Sequence, residues 1–80
     1  MKTYYLYILK CSDGSLYTGI TTDIKRRLSE HNEGEKGAKY TALRRPLALV
    51  YKKRFSGRSA ASIEEARIKK LSRQEKLALI

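Results

Sequence analysis

The stretch LYTGITTDIKRRLSEH, residues 16–31, brings together side chains that suit chemistry on a phosphate ester. Tyr17 and Gly19 lie in its first half, which is typical of the end of a β-strand, and Arg27 lies in its second half, which is typical of an opening helix. A guanidinium can hold a phosphate through two parallel hydrogen bonds, and glycine allows a ligand or another backbone to come close. The spacing therefore indicates a phosphate-handling site.

The helix that carries Arg27 has a clear inward stripe. At about 3.6 residues per turn, Ile24, Leu28 and His31 fall on one face. Arg27 lies roughly 60° to one side of this face, while Arg26 points away from it. We therefore expect Arg27 at the edge of the core.

Each of these residues also has an ordinary structural interpretation. Tyr7 and Tyr17 suit packed strand aromatics with their hydroxyls at the surface. Arg27 has Asp23 one turn earlier as an ion-pair partner, and Gly19 suits a tight turn. The combination, more than any single residue, favours a functional site.

The order of elements predicts a small α+β domain spanning 1–80, with a three-stranded antiparallel sheet flanked by helices in the order β-β-α-β-α-α. Strands at 4–10 and 16–20 form a hairpin around the turn at 12–15. Thr22 or Asp23 caps the first helix, which ends within 32–37.

The second half of the chain continues this pattern. Pro46 precedes a third strand at 47–55, in which Leu49, Tyr51 and Lys53 alternate with Ala48, Val50 and Lys52. Ser59 is the expected cap of a second helix that runs to about Lys70, and Ser72 is the expected cap of a short C-terminal helix.

The charge balance points to a polyanionic partner. Eighty residues include 18 Lys and Arg against 8 Asp and Glu, a net charge of +10. Nucleic acid is the commonest polyanion, although the same positive charge would also attract the protein to ribosomes and to anionic membranes. One Cys and one His exclude an intrachain disulfide and a four-ligand zinc site. The N-terminus lacks a cleavage site and no stretch approaches a membrane span, so we expect a cytoplasmic protein without membrane association.

Tyr7, followed ten residues later by Tyr17-Thr18-Gly19 and then by Arg27 and His31, resembles the GIY-YIG nuclease superfamily. The runs GAKYT at 37–41 and IKKLSRQEKLALI at 68–80 are similar to its short stand-alone bacterial members. Tyr5-Leu6-Tyr7 stands where the first motif would read Gly-Ile-Tyr, so the first strand is expected to approach a substrate less closely.

The resemblance implies one divalent metal ion, Mg²⁺ or Mn²⁺, held by a glutamate of the second helix. Glu64 and Glu65 both stand there, and helical spacing places Glu65 beside the stripe of Ala61 and Ile68. The family pattern, a glutamate three residues before Ile-Lys, selects Glu65. The alternative is a capping box with Ser62, in which Glu65 is the third helical residue.

The resemblance also implies catalytic roles. Tyr7 would be the general base, with its pKa lowered by Arg27, the metal and Lys69. Tyr17 would orient the water or a phosphate oxygen, and Arg27 would stabilise the charge of the transition state. His31 is either a proton relay or a packed helix residue.

The remaining cations predict a surface that binds the phosphate backbone without reading bases. The predicted nucleic-acid contacts are Gly19, Lys39, Arg54, Arg58, Lys69, Arg73 and Lys76.

The leading hypothesis is a metal-dependent endonuclease that acts on DNA, guided by structure more than by sequence, in repair or recombination. The alternative is a module that binds DNA or RNA through the same basic face without cutting. The apolar residues at 77–80 also suit a homodimer or a partner protein, or else the core.

Overall fold

The computed structural model of the chain describes residues 2–34 and 39–80. Its elements, in chain order, are β1 (Tyr4–Lys10), β2 (Leu16–Thr21), α1 (Ile24–Glu33), α2 (Lys39–Ala42), β3 (Ala48–Phe55), α3 (Arg58–Lys69) and α4 (Arg73–Leu77). The expected three-stranded antiparallel sheet with flanking helices is confirmed, with the one-turn helix α2 added. In the described ranges, no helix is long and apolar enough to cross a membrane.

The β1–β2 hairpin closes through a glycine turn, as the sequence predicts. Gly14 has a φ of 85°, in the left-handed region where a side chain is strained. Asp13 accepts hydrogen bonds from the backbone and hydroxyl of Ser15 at 3.0 and 2.6 Å. The turn therefore fixes the register that places Tyr7 opposite Gly19.

β1 is the central strand of the sheet, which has the order β2-β1-β3. Because successive strand residues point to opposite sides, β1 serves two cores. Tyr7 and Leu9 belong to one apolar cluster, with Ile24 and Leu28 of α1 packed against it. Leu6 and Ile8 belong to the other, with Ile68 of α3. We call the first side the tyrosine face and the second the opposite face.

A bulge in β3 changes the predicted alternation of that strand. Ile8 pairs with Tyr51 and Leu9 pairs with Leu49, so Val50 is an additional residue between them. The prediction that Leu49 and Tyr51 share one side is therefore wrong: Leu49 packs in the tyrosine-face cluster and Tyr51 in the opposite one.

Two of the three predicted helix caps are present. Asp23 caps α1 by accepting from the backbone nitrogen of Arg26, and Ser72 forms a capping box with Glu75. The prediction of Ser59 as the cap of α3 is wrong, because the helix begins at Arg58 after Gly57, which makes no side-chain cap. Packing of the helix on the sheet, more than a cap, sets this start. Ser62 then lies inside the helix, which removes the capping box for Glu65.

The segment that leads into β3 is held against the C-terminal end of α1. Arg45 donates to the backbone oxygens of His31 and Gly34 at 2.6 and 2.7 Å, which satisfies carbonyls that the helix leaves unpaired. The side chain of Asn32 exchanges hydrogen bonds with the backbone of Leu47, at 2.7 and 3.1 Å. Thr41 lies in sequence between the end of α1 and Arg45, so these contacts hold it against α1.

The C-terminal apolar residues divide between core and surface. Leu79 packs against the cluster of Leu6 and Ile8. Leu77 and Ile80 are 42 and 49 % exposed.

Two isoleucines of α3 provide a matched test of this packing. Ile68 is fully buried and Ile63 is 73 % exposed. Ile68→Ala should lower the free energy of unfolding by about 2–5 kcal/mol, because it leaves a cavity under the sheet. Ile63→Ala should change it by about 0.5 kcal/mol or less. Urea unfolding of both variants measures the difference, and equal losses would contradict the assigned face of α3.

Candidate active site

Tyr7 lies at the centre of the candidate site and is only 3 % exposed. Its ring leans across the sheet over Gly19, its partner in β2. A Cβ atom on Gly19 would lie 2.5 Å from the Tyr7 hydroxyl oxygen and 2.7 Å from Cζ, closer than atoms can pack. Gly19 is therefore required by the tyrosine ring. The contact of Gly19 with nucleic acid stays a prediction, and the space that a Cβ atom of this residue would take is filled by the Tyr7 ring.

His31 joins Tyr7 to a third buried group. The Tyr7 hydroxyl and His31 Nε2 form a hydrogen bond of 3.0 Å, and His31 Nδ1 and Thr41 Oγ1 form one of 2.9 Å. His31 and Thr41 are both fully buried. Both ring nitrogens of His31 thus have partners, and the residue is at once packed and part of a hydrogen-bonded chain.

Burial lowers the pKa of His31 to about 4, and the charges of Arg27 and Arg45 act in the same direction. The carboxylate of Glu30 opposes them. The imidazole is therefore neutral at pH 7, with one ring nitrogen donating and the other accepting. Thr41 can match either arrangement, since a hydroxyl both donates and accepts.

Arg27 lies at the edge of the core, where helical spacing places it. Its side chain is 26 % exposed and forms an ion pair with Glu30 at 3.1 Å. Its guanidinium also forms a hydrogen bond with the Tyr7 hydroxyl. Arg26 is exposed. Arg27 thus faces both the buried phenol and solvent.

Burial raises the pKa of Tyr7, and the hydrogen bond from Arg27 only partly opposes it. The charges of Tyr17 and Glu65 raise this pKa further. Arg27 therefore lowers the pKa of Tyr7 as expected, but burial outweighs it and the net direction in the unbound protein is upward. Lys69, one of the expected cations, forms an ion pair with Glu65 at 3.2 Å.

Tyr17 completes a cluster of three rings. The centroid of its ring lies 5.1 Å from that of His31, in an edge-on arrangement, and 6.5 Å from that of Tyr7, in a tilted arrangement. Tyr17 is partly exposed. It therefore forms the wall of the cluster that a substrate can touch.

The two glutamates of α3 have different surroundings. Glu64 accepts two hydrogen bonds of 2.7 Å from Arg67, which hold its pKa below the ordinary value. Glu65 is 24 % exposed. Although α3 packs on the opposite face, the charge of Glu65 reaches Tyr7. The charge of Glu65 is thus one of the smaller causes of the raised pKa of Tyr7, while Glu64 is occupied by Arg67.

Glu65 alone would offer a metal ion an incomplete set of ligands. In residues 2–34 and 39–80, no three His, Cys, Asp or Glu side chains are grouped for metal binding. Mg²⁺ usually keeps several waters and binds through one or two carboxylates together with substrate phosphates. A partly exposed carboxylate fits a site that the substrate completes, once Lys69 has moved aside.

The other predicted nucleic-acid contacts are carried by several elements of the fold. Arg54 lies on the tyrosine face, since it pairs with Tyr5, and α3 and α4 carry the rest. The side chain of Lys39 lies outside the described part of the chain, as do Gly37 and Ala38 of the GAKYT run. The remaining cations are Arg58, Lys69, Arg73 and Lys76.

Thr41, the partner of His31, was not predicted from the sequence. Its only signal was its place in the GAKYT run, because a threonine after an irregular segment has no distinctive pattern. Arg45 and Asn32, which hold that segment in place, were missed for the same reason.

Comparison with known proteins assigns the family. The model of the GIY-YIG catalytic domain matches residues 3–78. The chain belongs to the GIY-YIG family. This family is one of nucleases, so nucleic acid is the class of substrate it implies, and the resemblance noted in the sequence is confirmed.

Several relatives match nearly the whole of this GIY-YIG domain. A UPF0213 protein of Staphylococcus haemolyticus is 54 % identical over 80 residues, covering 100 % of this chain and 96 % of the relative. The solution NMR structure of the UPF0213 protein BH0048 from Bacillus halodurans has a TM-score of 0.62 at 47 % identity, covering 96 and 81 % of the two chains. The solution NMR structure of the protein EF2693 from E. faecalis has a TM-score of 0.65 at 43 % identity, covering 99 % of this chain and 84 % of that chain. The fold is therefore that of the GIY-YIG relatives.

The single histidine allows a direct test of the buried site. In the folded protein, the NMR signals of His31 should titrate with a midpoint near pH 4. In the urea-unfolded chain the midpoint should be about 6.5. Because the unfolded state binds the proton first, stability should fall as the pH is lowered from about 6.5 to 4, by up to about 3 kcal/mol.

The same chain in denaturant is the control for this titration. A folded-state midpoint near that of the unfolded chain would contradict the buried Tyr7–His31–Thr41 chain.

Proposed function

We propose that the protein is a metal-dependent endonuclease that hydrolyses phosphodiester bonds in DNA. The observation that supports it most is the buried Tyr7 hydroxyl, which forms hydrogen bonds with His31 Nε2 and the Arg27 guanidinium and whose pKa the charge of Glu65 also affects. A tyrosine that serves packing alone needs no cation and no carboxylate around its hydroxyl. Metal-dependent hydrolysis of a phosphodiester uses a base for the attacking water, a cation for the developing charge and a ligand for the metal ion.

Tyr7 is the proposed general base, which takes a proton from the attacking water. Its raised pKa means that the phenol is protonated at neutral pH in the unbound protein. Only the small ionised fraction can then act as a base. The cleavage rate should therefore increase with pH through the neutral range.

His31 positions the phenol oxygen and gives its proton a partner. When Nδ1–H donates to Thr41, Nε2 accepts from the Tyr7 hydroxyl. A neutral imidazole is needed for this arrangement, since the imidazolium can only donate. The low pKa of His31 preserves the neutral form.

Arg27 is the proposed stabiliser of negative charge on the phosphoryl group. Its side chain is near Tyr7 and partly exposed, so a phosphate can replace Glu30 as its partner. A donor of this kind is typically worth about 10²–10³ in rate. Tyr17, in the exposed part of the ring cluster, would orient the water or a phosphate oxygen.

Glu65 would hold the Mg²⁺ or Mn²⁺ ion, which when bound supplies Lewis-acid stabilisation of the phosphate charge. Lys69 holds the same carboxylate in the unbound protein. It would then be released to contact the phosphate backbone.

DNA is the proposed substrate because the net charge of +10 attracts a polyanion and the residues of the site suit a phosphodiester. Lysine and arginine contacts to phosphates carry no sequence information. The enzyme would therefore choose its substrate by DNA structure, as a nuclease of repair or recombination does.

The two glutamates of α3 give a matched test. Glu65→Gln should reduce cleavage by about a hundredfold or more, because the metal loses its protein ligand. Glu64→Gln should leave cleavage nearly unchanged, since Glu64 is held by Arg67. Plasmid, single-stranded and branched DNA and a structured RNA are incubated with Mg²⁺ or Mn²⁺, with and without chelator.

Cleavage that survives Glu65→Gln would contradict the assigned metal ligand. If neither variant nor the wild type cuts any substrate while all bind nucleic acid, the protein is a binding module.

A further inference from the structure

The register of the sheet places an aromatic residue and two cations beside Tyr7. Tyr5 pairs with Arg54 and Tyr7 pairs with Lys52, so all four point to the tyrosine face. Along a strand, alternate residues are about 7 Å apart. Tyr5, Lys52 and Arg54 thus form a strip that continues directly from the buried phenol. We call these three residues the β3-edge strip.

The bulge at Val50 determines which cations of β3 belong to this strip. It shifts the alternation of the strand, so that Lys52 and Arg54 lie on the tyrosine face and Lys53 on the opposite face. Lys53 lies over the ring of Phe55, with its Nζ 5.5 Å from the centroid, and its charge acts on Glu64. Lys52 and Arg54 are exposed.

Tyr5 is unusual for an aromatic residue on a central strand. It is partly exposed, and in the described part of the chain it belongs to neither apolar cluster. Its cross-strand neighbours are Thr21 and Arg54, which are polar. A ring in such surroundings can stack on a base that is not already stacked in a duplex.

We propose that the β3-edge strip binds a single-stranded segment of DNA next to the scissile bond. Lys52 and Arg54 contact its phosphates, and Tyr5 stacks on an unpaired base. Cations beside an aromatic ring are the common elements of single-strand binding sites. Charge complementarity with the chain's excess of cations supports the same occupant. The inference rests on the proposed function and specifies its substrate as DNA with an unpaired strand.

Binding measured without cleavage tests the strip independently of catalysis. Wild-type protein in chelator is titrated against a short fluorescein-labelled single-stranded DNA, by anisotropy, over a series of NaCl concentrations. Each phosphate contact on a single strand contributes about 0.7 to the slope of log K against log salt. K52A/R54A should therefore reduce the slope by about 1.4.

The matched control is K53A/K70A, which also removes two exposed cations, but from the opposite face and from the end of α3. Its slope should stay close to that of the wild type. Equal reductions by the two double variants would overturn the strip, because the binding would then depend on net charge alone.

The stacking role has its own pair of variants. Tyr5→Leu should weaken single-strand binding by about tenfold or more, whereas Tyr4→Leu, on the other face, should change it little. Tyr5→Leu should not weaken binding to a blunt duplex, which has no unpaired base to stack. Equal weakening of single-strand and duplex binding would overturn the single-strand assignment.

These results are distinguishable from a failure of the proposed function. If the protein cuts nothing but K52A/R54A shows the predicted reduction in slope, the β3-edge strip is supported and the nuclease function is contradicted. If the protein cuts DNA with metal but K52A/R54A has the wild-type slope, the nuclease function is supported and the β3-edge strip is contradicted.

Discussion

The hydrogen bond between the Tyr7 hydroxyl and His31 Nε2 is the contact on which the site depends. It joins the central strand to α1 inside the protein, where an unsatisfied polar group is costly. Gly19 leaves room for the ring, and Thr41 satisfies the far nitrogen of His31. The hydrogen bonds of Arg45 and Asn32, which hold the segment before β3 on α1, keep Thr41 in place. Residues far apart in sequence thus position the buried Tyr7 side chain and satisfy the hydrogen bonds around it.

Burial has opposite consequences for position and for reactivity. It fixes Tyr7 between two partners, as a catalytic group requires. It also raises the pKa of the phenol and lowers that of His31, so that both are neutral in the unbound protein. Arg27 is the charge of the chain that favours the phenolate, and it is itself shared with Glu30. A substrate that changes these charges would therefore change the reactivity of Tyr7.

Local patterns predicted most of the fold, and long-range contacts limited the rest. The hairpin followed from Asp13-Gly14, and the placement of Arg27 followed from helical spacing. The bulge at Val50 has no sequence signal, because each of its neighbours suits a strand, and it decides which cations join the tyrosine face. The net rise of the Tyr7 pKa in the unbound protein was not predicted, because the sequence shows nearby charges and does not show the depth of burial.

Removal of one oxygen atom shows whether the Tyr7 hydroxyl is the catalytic group. Tyr7→Phe keeps the ring over Gly19 and removes the hydroxyl that meets His31 and Arg27. Cleavage of branched DNA should be compared with that of the wild type as a function of pH, with the fold of both proteins checked by NMR. The wild-type rate should increase with pH, and the variant should be slower by about a hundredfold or more at every pH. A folded variant that cuts at the wild-type rate, with the same pH dependence, would contradict this role of Tyr7.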